Sequence, residues 1–315
     1  MIKQSRTDWF GDLKNAQSVA VSNEYGVLME LRIDPAAYEM LKTATAHYVT
    51  ACLEQPSGFG SDDQLMDFIE THVDELANRT PNGILIPKHE FEEEFNRLHR
   101  ALASYIRTLG VDDSIYSVSS PIIVRMVKGE PDSTVDNRPY ASSKVHIDPW
   151  GGDPGDEVVV SIPVLGDIAR TTVEYFQPPN ELETDLVRTM TDYEEGQQLM
   201  GDTEQLPLEQ RLGYAYFIDA IIPHRTVKRG GQVRITVEFR LRRQTTEEEK
   251  AAVEAVCDSG RLSHFIEIAD WHSLGTTKRM LFSDTNADAK LGIFVERPYN
   301  EFIYTTADVP PSTFD

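Results

Sequence analysis

Cysteine is scarce. The 315-residue chain has two, Cys52 and Cys257, far apart in sequence. Two such positions exclude a disulfide-stapled scaffold; both read as free thiols in a reducing cytoplasm. Long apolar runs are missing as well. Nothing approaches the roughly 18 consecutive apolar residues that a membrane-spanning helix needs, so no membrane partner is expected. The opening stretch MIKQSRTDWFGDLKNAQ has no apolar segment of the secretory-signal kind. Basic residues are outnumbered, 30 Lys and Arg against 52 Asp and Glu, for a formal net charge of −22. A chain so acidic repels phosphate backbones, which argues against nucleic acid as a partner. The excess acid reads first as a solvated surface, with a cationic substrate as the alternative. Internal repeats and low-complexity tracts are absent too.

What is present is a 40% hydrophobic chain with aromatic and β-branched residues along its whole length. That suffices for one large domain, expected to cover 1–315. Residues 1–113 read as short strands (17–22 and 27–33) followed by helices. Asp34 caps one helix, with Pro35 in its first turn, running to about Gln55. Others are predicted from Asp62 to Ala77 and from His89 to Leu109, the last closed by Gly110. These helices are expected to pack outside a sheet, and His47, His72, His89 and His99 in them read as solvated or core histidines.

From 114 to 242 the pattern changes to short strands: 114–120, 122–128, 143–148, 157–165, 171–177, 213–220, 224–228 and 232–242. Closely spaced strands of this kind predict a sandwich or barrel. A polar insertion at about 180–210 is expected to form a loop or helix over one end. Gly230-Gly231 predicts a tight hairpin between the last two strands. After 243 come a helix and an aromatic-rich stretch with His264, Trp271, His272 and Tyr304, expected against the barrel mouth or a neighbouring subunit.

The chemistry concentrates in three places. His146-Ile147-Asp148 ends a predicted strand, where residues two apart share a face. An imidazole and a carboxylate on one face are the ligand pair expected for non-haem iron(II). A third ligand must come from elsewhere, and His224, at the start of a later strand, is the candidate. Two histidines and one carboxylate leave three metal positions open. Arg234 follows ten residues after His224, and Thr236 shares its face. A guanidinium grips a carboxylate through parallel hydrogen bonds, and a hydroxyl adds another. An arginine pointing into an apolar barrel needs an anion, and the distal carboxylate of 2-oxoglutarate would be one.

His146-x-Asp148, the distal His224 and Arg234-x-Thr236, in this order and spacing, resemble the iron(II)/2-oxoglutarate-dependent oxygenase superfamily over roughly 115–242. The resemblance implies a double-stranded β-helix core with buttressing helices. It also implies an enzyme that uses O₂ and 2-oxoglutarate to oxidise a small molecule, releasing succinate and CO₂. Asp148 as a ligand, where the halogenating branch has a small residue, implies hydroxylation or a related oxidation such as desaturation or cyclisation. A biosynthetic role is the expectation.

Three further residues are substrate-pocket candidates. Trp150 begins the loop after Asp148-Pro149. Arg125 lies mid-strand, sharing a face with Ile123 and Val127, and reads equally as a substrate contact or a structural ion pair. Tyr216 lies on the strand leading to His224. Arg225 should face away from the metal. Two other readings stay open: a protein or peptide hydroxylase on the same scaffold, and a non-redox cupin-like metal- or sugar-binding barrel.

Overall fold

Residues 19–22, 27–54, 58–178, 184–257, 262, 264–282 and 304–308 are described by a computed structural model. Strands β1 (Val19–Ser22) and β2 (Val27–Arg32) lead into helix α1 (Pro35–Cys52). Asp34 caps α1 by accepting from the amides of Ala36 and Ala37, with Pro35 where a missing N–H costs nothing. Helix α2 spans Asp62–His72 and tightens into a 3-10 turn at Val73–Glu75, short of the expected Ala77. After β3 (Ile84–Leu85), helix α3 runs Glu92–Leu109 and stops at Gly110, whose φ of 65° is left-handed. Its Phe95, Leu98, Leu102 and Ile106 are buried, one apolar stripe at helical spacing.

Strands β4 (Ile115–Ser119) and β5 (Ile123–Val127) follow, then the short helix α4 (Ser133–Asp136), β6 (Glu157–Gly166) and β7 (Thr171–Tyr175). Helix α5 (Tyr193–Met200) lies in the expected insertion. Then come β8 (Tyr214–Asp219), β9 (His224–Lys228) and β10 (Arg234–Arg243). Helix α6 (Glu247–Glu254) has a capping box at Thr246. It is followed by β11 (Phe265–Glu267), α7 (Ile268–Ser273), β12 (Lys278–Phe282) and β13 (Tyr304–Asp308).

The described strands form three sheets, of which two face each other and the third is the β12–β13 pair. In the larger, β5, β10, β6 and β8 are successive antiparallel neighbours, extended by β2 and β1 beyond β8 and by β3 beyond β5. β4 continues along the same edge of β10 and carries β11. The smaller sheet is β7 paired with β9. His146 bridges to His224 on the free side of β9, and Phe176 bridges to Gln205 beyond β7. From β6 to β10 successive strands alternate between the two sheets, which is the winding of a double-stranded β-helix.

Alternation along β10 sorts its side chains. Ile235, Val237, Phe239 and Leu241 face outward and join the core beneath α1, α2 and α3. Arg234, Thr236, Glu238 and Arg240 face the other way, toward the smaller sheet, together with Arg125 from β5.

Three expectations need correction. Gly230-Gly231 does not close a hairpin. β9 pairs with β7, whereas β10 pairs with β5, β6 and β4. The glycines, at φ 72° and 123°, carry the chain from one sheet to the other. Residues 143–148 form no regular strand. Their pairing is the single His146–His224 bridge, because Lys144 closes a turn onto Ala141 and Pro149 supplies no donor. The C-terminal aromatic stretch lies on the outer face of the large sheet, not at the mouth. There Trp271 stacks on Phe239 and donates from Nε1 to the Ser119 carbonyl. An outward apolar face on β10 demands such a cover. Of the expected strand ends, 17 and 18 lie outside the described residues, and β2 stops at Arg32, one residue short of 33.

Candidate metal centre

His146 and His224 are placed by their own backbones. Each amide donates to the other's carbonyl, at 3.0 and 2.9 Å. That narrow antiparallel pairing sets the imidazoles side by side, ring centroids 4.4 Å apart. Asp148 lies just past the bridge, in the first turn of the 3-10 segment Asp148–Gly151. Its amide donates to the Ala220 carbonyl at 3.2 Å, which ties it to the turn before β9.

The two rings, tilted 49° to each other, are held by the same kind of contact. His146 Nδ1 sits 2.8 Å from the Lys144 carbonyl, and His224 Nδ1 sits 3.0 Å from the Ile222 carbonyl. A carbonyl only accepts, so Nδ1 carries the proton in both and Nε2 keeps its lone pair. Tyr193 from α5 stacks on the His146 ring at 4.2 Å and 12°. Burial, and then the neighbouring His224, push the His146 pKa well below its ordinary value, so the imidazole stays neutral as a ligand must.

One ligand atom from each of His146, Asp148 and His224 lies within 4.8 Å of the others. His224 Nε2 is 3.9 Å from Asp148 Oδ1. Asp148 Oδ2 is buried with no hydrogen-bond partner. A buried carboxylate oxygen left bare costs stability unless a cation meets it. Two imidazoles and one carboxylate with a bare oxygen, gathered in one place, fit a divalent metal of the iron class.

Arg240 sits behind this group. Its guanidinium is 3.7 Å from Asp148 Oδ1, 3.5 Å from Asp153 and 2.8 Å from Glu157. It offsets three carboxylates in one buried volume and raises no objection to a further cation there. The alternation of RITVEFRLR, with a charge or hydroxyl at every second position, was the available sequence signal for Glu238 and Arg240.

Arg234 is 1% exposed, yet its Nε has no partner and its Nη1 reaches only Gln210 Oε1, at 3.4 Å. Burial lowers its pKa to about 10. That leaves a guanidinium lacking a direct carboxylate partner, the state expected of a group that waits for an anion. Thr236 lies beside it but donates its hydroxyl to Glu238 Oε1 at 3.0 Å. Tyr175 supplies a donor not anticipated from sequence. Its hydroxyl oxygen accepts from Gln210 Nε2 at 2.8 Å, which leaves its own O–H to donate near Arg234. Tyr175 and Gln210 were not legible beforehand because they meet Arg234 only across the two sheets.

The three pocket candidates fare differently. Arg125 faces the interior and pairs with Glu238, Nη2 to Oε2 at 2.9 Å. The Trp150 indole is wholly buried among Ile147, Leu186, Met190, Tyr193 and Met200, and donates to the Leu186 carbonyl at 2.9 Å. It is a packing residue under α5. A Cβ on Gly196 would stand 2.3 Å from that ring, so glycine lets α5 approach. The Tyr216 hydroxyl is committed to Glu30 at 2.9 Å and to the Arg211 amide at 2.6 Å, away from the metal ligands. Arg225 pairs with Glu174, as its outward position requires.

No family model matches the chain, and neither does any curated protein. Among solved structures, it is similar to an N-substituted L-amino acid dioxygenase from Burkholderia ambifaria. That match has 10% identity and a TM-score of 0.37, over 76% of this chain and 91% of that one. AviO1 from Streptomyces viridochromogenes matches at 15% identity and a TM-score of 0.39, over 68% of this chain and 89% of its own. The non-haem α-ketoglutarate-dependent epimerase SnoN of nogalamycin biosynthesis matches at 12% identity and a TM-score of 0.30, over 67% and 76%.

Proposed function

We propose that this protein is a non-haem iron(II) oxygenase of the 2-oxoglutarate-dependent superfamily. It couples oxidative decarboxylation of 2-oxoglutarate by O₂ to hydroxylation, or a related oxidation, of a small molecule in a biosynthetic pathway. The observation that carries the reading is a pairing of two unmet needs in one interior. Asp148 Oδ2 is buried without a hydrogen-bond partner, and the Arg234 guanidinium has no carboxylate bonded to it. A metal chelated by a dicarboxylate meets both, and a metal or sugar-binding barrel without redox chemistry meets one. The enclosure of these groups, with Asp148 7% and Arg234 1% exposed, suits a small molecule better than a folded polypeptide.

Each residue then has a task. His146, Asp148 and His224 hold the metal, with the Nδ1–H bonds to Lys144 and Ile222 fixing both ring planes. Arg234 draws in the distal carboxylate of the cosubstrate, and the Tyr175 hydroxyl and Gln210 steer it. Tyr193 closes one side of the His146 ring against water. Iron, once bound, supplies the activation of O₂, chemistry that no side chain here performs. The protein's share is to fix the cosubstrate, present one carbon of the substrate and keep solvent out.

The test is succinate formation with iron(II), ascorbate and 2-oxoglutarate. Succinate above the metal-free control supports the reading. If 2-oxoglutarate neither binds the metal-loaded protein nor raises its melting temperature, the reading fails.

A further inference from the structure

Glu238 is the residue that the proposed chemistry does not use. It lies on the interior face of β10, two positions from Thr236 and two from Arg240, and is buried. Its Oε2 accepts from Arg125 Nε at 3.0 Å and Nη2 at 2.9 Å, and its Oε1 accepts from Thr236. Arg125 stands opposite Thr236 in the β5–β10 register, so the ion pair crosses the two strands diagonally. The remaining Arg125 nitrogen, Nη1, donates to the Asn82 carbonyl at 3.0 Å. Arg125 is thus fully committed, held by β3's entry loop on one side and by Glu238 on the other.

This arrangement poses an electrostatic problem. Arg234 and Glu238 line the same interior face, and each feels the other's charge. Opposite charges on the protein hold Glu238 ionised against the effect of burial, with Arg125 the largest of them. A dicarboxylate that docks on Arg234 must therefore enter beside a permanent carboxylate. In a volume shielded from water, like charges repel over longer distances than they do in solvent.

We infer that Arg125 is a specificity-determining residue of the cosubstrate pocket. It masks Glu238, so that a dianionic 2-oxo acid is accepted at Arg234. The inference rests on the proposed function above and adds to it a residue outside the metal and anchor groups. Glu238 in turn holds the Thr236 hydroxyl away from the anchor. Without Arg125 the carboxylate is left with Arg234 as its main counter-ion, so it competes with an incoming dicarboxylate for that guanidinium, and the pocket favours 2-oxo acids that lack a second carboxylate.

The experiment measures binding of two ligands to the manganese(II)-loaded protein under anaerobic conditions. One is 2-oxoglutarate. The other is 2-oxopentanoate, of the same chain length but without the distal carboxylate. In Arg125→Met the affinity for 2-oxoglutarate should fall by roughly 10- to 100-fold, while that for 2-oxopentanoate changes by less than about threefold. The double variant Arg125→Met/Glu238→Gln should recover most of the loss, because the masked charge is gone. Glu238→Gln alone should bind 2-oxoglutarate at least as tightly as the natural protein. That single variant keeps the test open should Arg125→Met not fold. Equal losses for both ligands, no recovery in the double variant, or weaker binding in Glu238→Gln would each overturn the inference. Failure of the unaltered protein to bind 2-oxoglutarate would instead overturn the function on which it rests.

Discussion

His146 and His224 are hydrogen-bonded backbone partners, amide to carbonyl in both directions at 3.0 and 2.9 Å. The bridge that fastens the His146 segment to the free side of β9 is therefore also the device that gathers two of the three metal ligands. Metal affinity and the integrity of this sheet edge are coupled through one pair of residues. His224→Ala should retain the backbone bridge yet lower metal affinity by about 100-fold or more, since two remaining ligands hold a divalent ion weakly. Calorimetric titration with manganese(II) checks this, and unchanged affinity would remove His224 from the ligand set.

The anchor makes a second expectation. Arg234→Met should raise the 2-oxoglutarate concentration needed for half-maximal turnover by about 100-fold, the scale of a lost charge-assisted pair. Metal affinity should stay as it was. A variant that loses metal and cosubstrate together would show a folding defect instead of a lost anchor.

Tyr175 and Thr236 can be ranked. The Thr236 hydroxyl is spent on Glu238, and the Tyr175 O–H is not. Tyr175→Phe should therefore weaken 2-oxoglutarate binding by roughly 10-fold, the worth of one hydrogen bond to a charged acceptor. Thr236→Val should weaken it less. The reverse order in a binding titration would mean that Thr236 turns from Glu238 to the cosubstrate when the latter binds.

Gly196 lies against the Trp150 ring, and α5 also carries Tyr193 onto His146. Gly196→Ala should cost about 1–3 kcal/mol in chemical denaturation, from forced displacement of a packed indole. It should also weaken metal binding slightly by shifting Tyr193. Full stability would show that α5 slides without penalty.

Acid should destabilise the molecule through His99. Its ring is fully buried between α3 and Trp271, with Nε2 on the Trp271 carbonyl at 2.9 Å. Burial lowers its pKa to about 4, against a small opposing effect of that hydrogen bond. The unfolded chain takes up this proton near pH 6.5 and the folded one near 4. Stability should therefore fall as pH drops between those values, by roughly 3 kcal/mol in all, and level off below. The reference is His99→Gln, which keeps a donor for the carbonyl. If both proteins show the same slope in urea melts across this range, His99 is not the cause.

Much of this was legible from alternation alone. The two-residue period of β10 put Arg234 and Thr236 on one face, and the ion-pair reading of Arg125 is the one the structure bears out, with Glu238 as its partner. Helix ends at Asp34, Pro35 and Gly110 followed from capping chemistry. The His-x-Asp spacing led to the right grouping by an incomplete route: Asp148 converges from a 3-10 turn, not from a strand. Gly230-Gly231 misled because two left-handed glycines serve a hairpin and a sheet-to-sheet crossing equally well, and only the partners of β9 and β10 distinguish them. Tyr175, Gln210 and the Asp148–Arg240 contact depend on how the two sheets face each other, which no local pattern encodes.

The most direct test of the central claim is an anaerobic titration in which 2-oxoglutarate is added to the protein with and without iron(II). The account expects one equivalent of each, with 2-oxoglutarate binding strengthened by the metal in the unaltered protein and not in Asp148→Ala. Binding of 2-oxoglutarate that is indifferent to iron, or iron binding that survives loss of Asp148 unchanged, would contradict it.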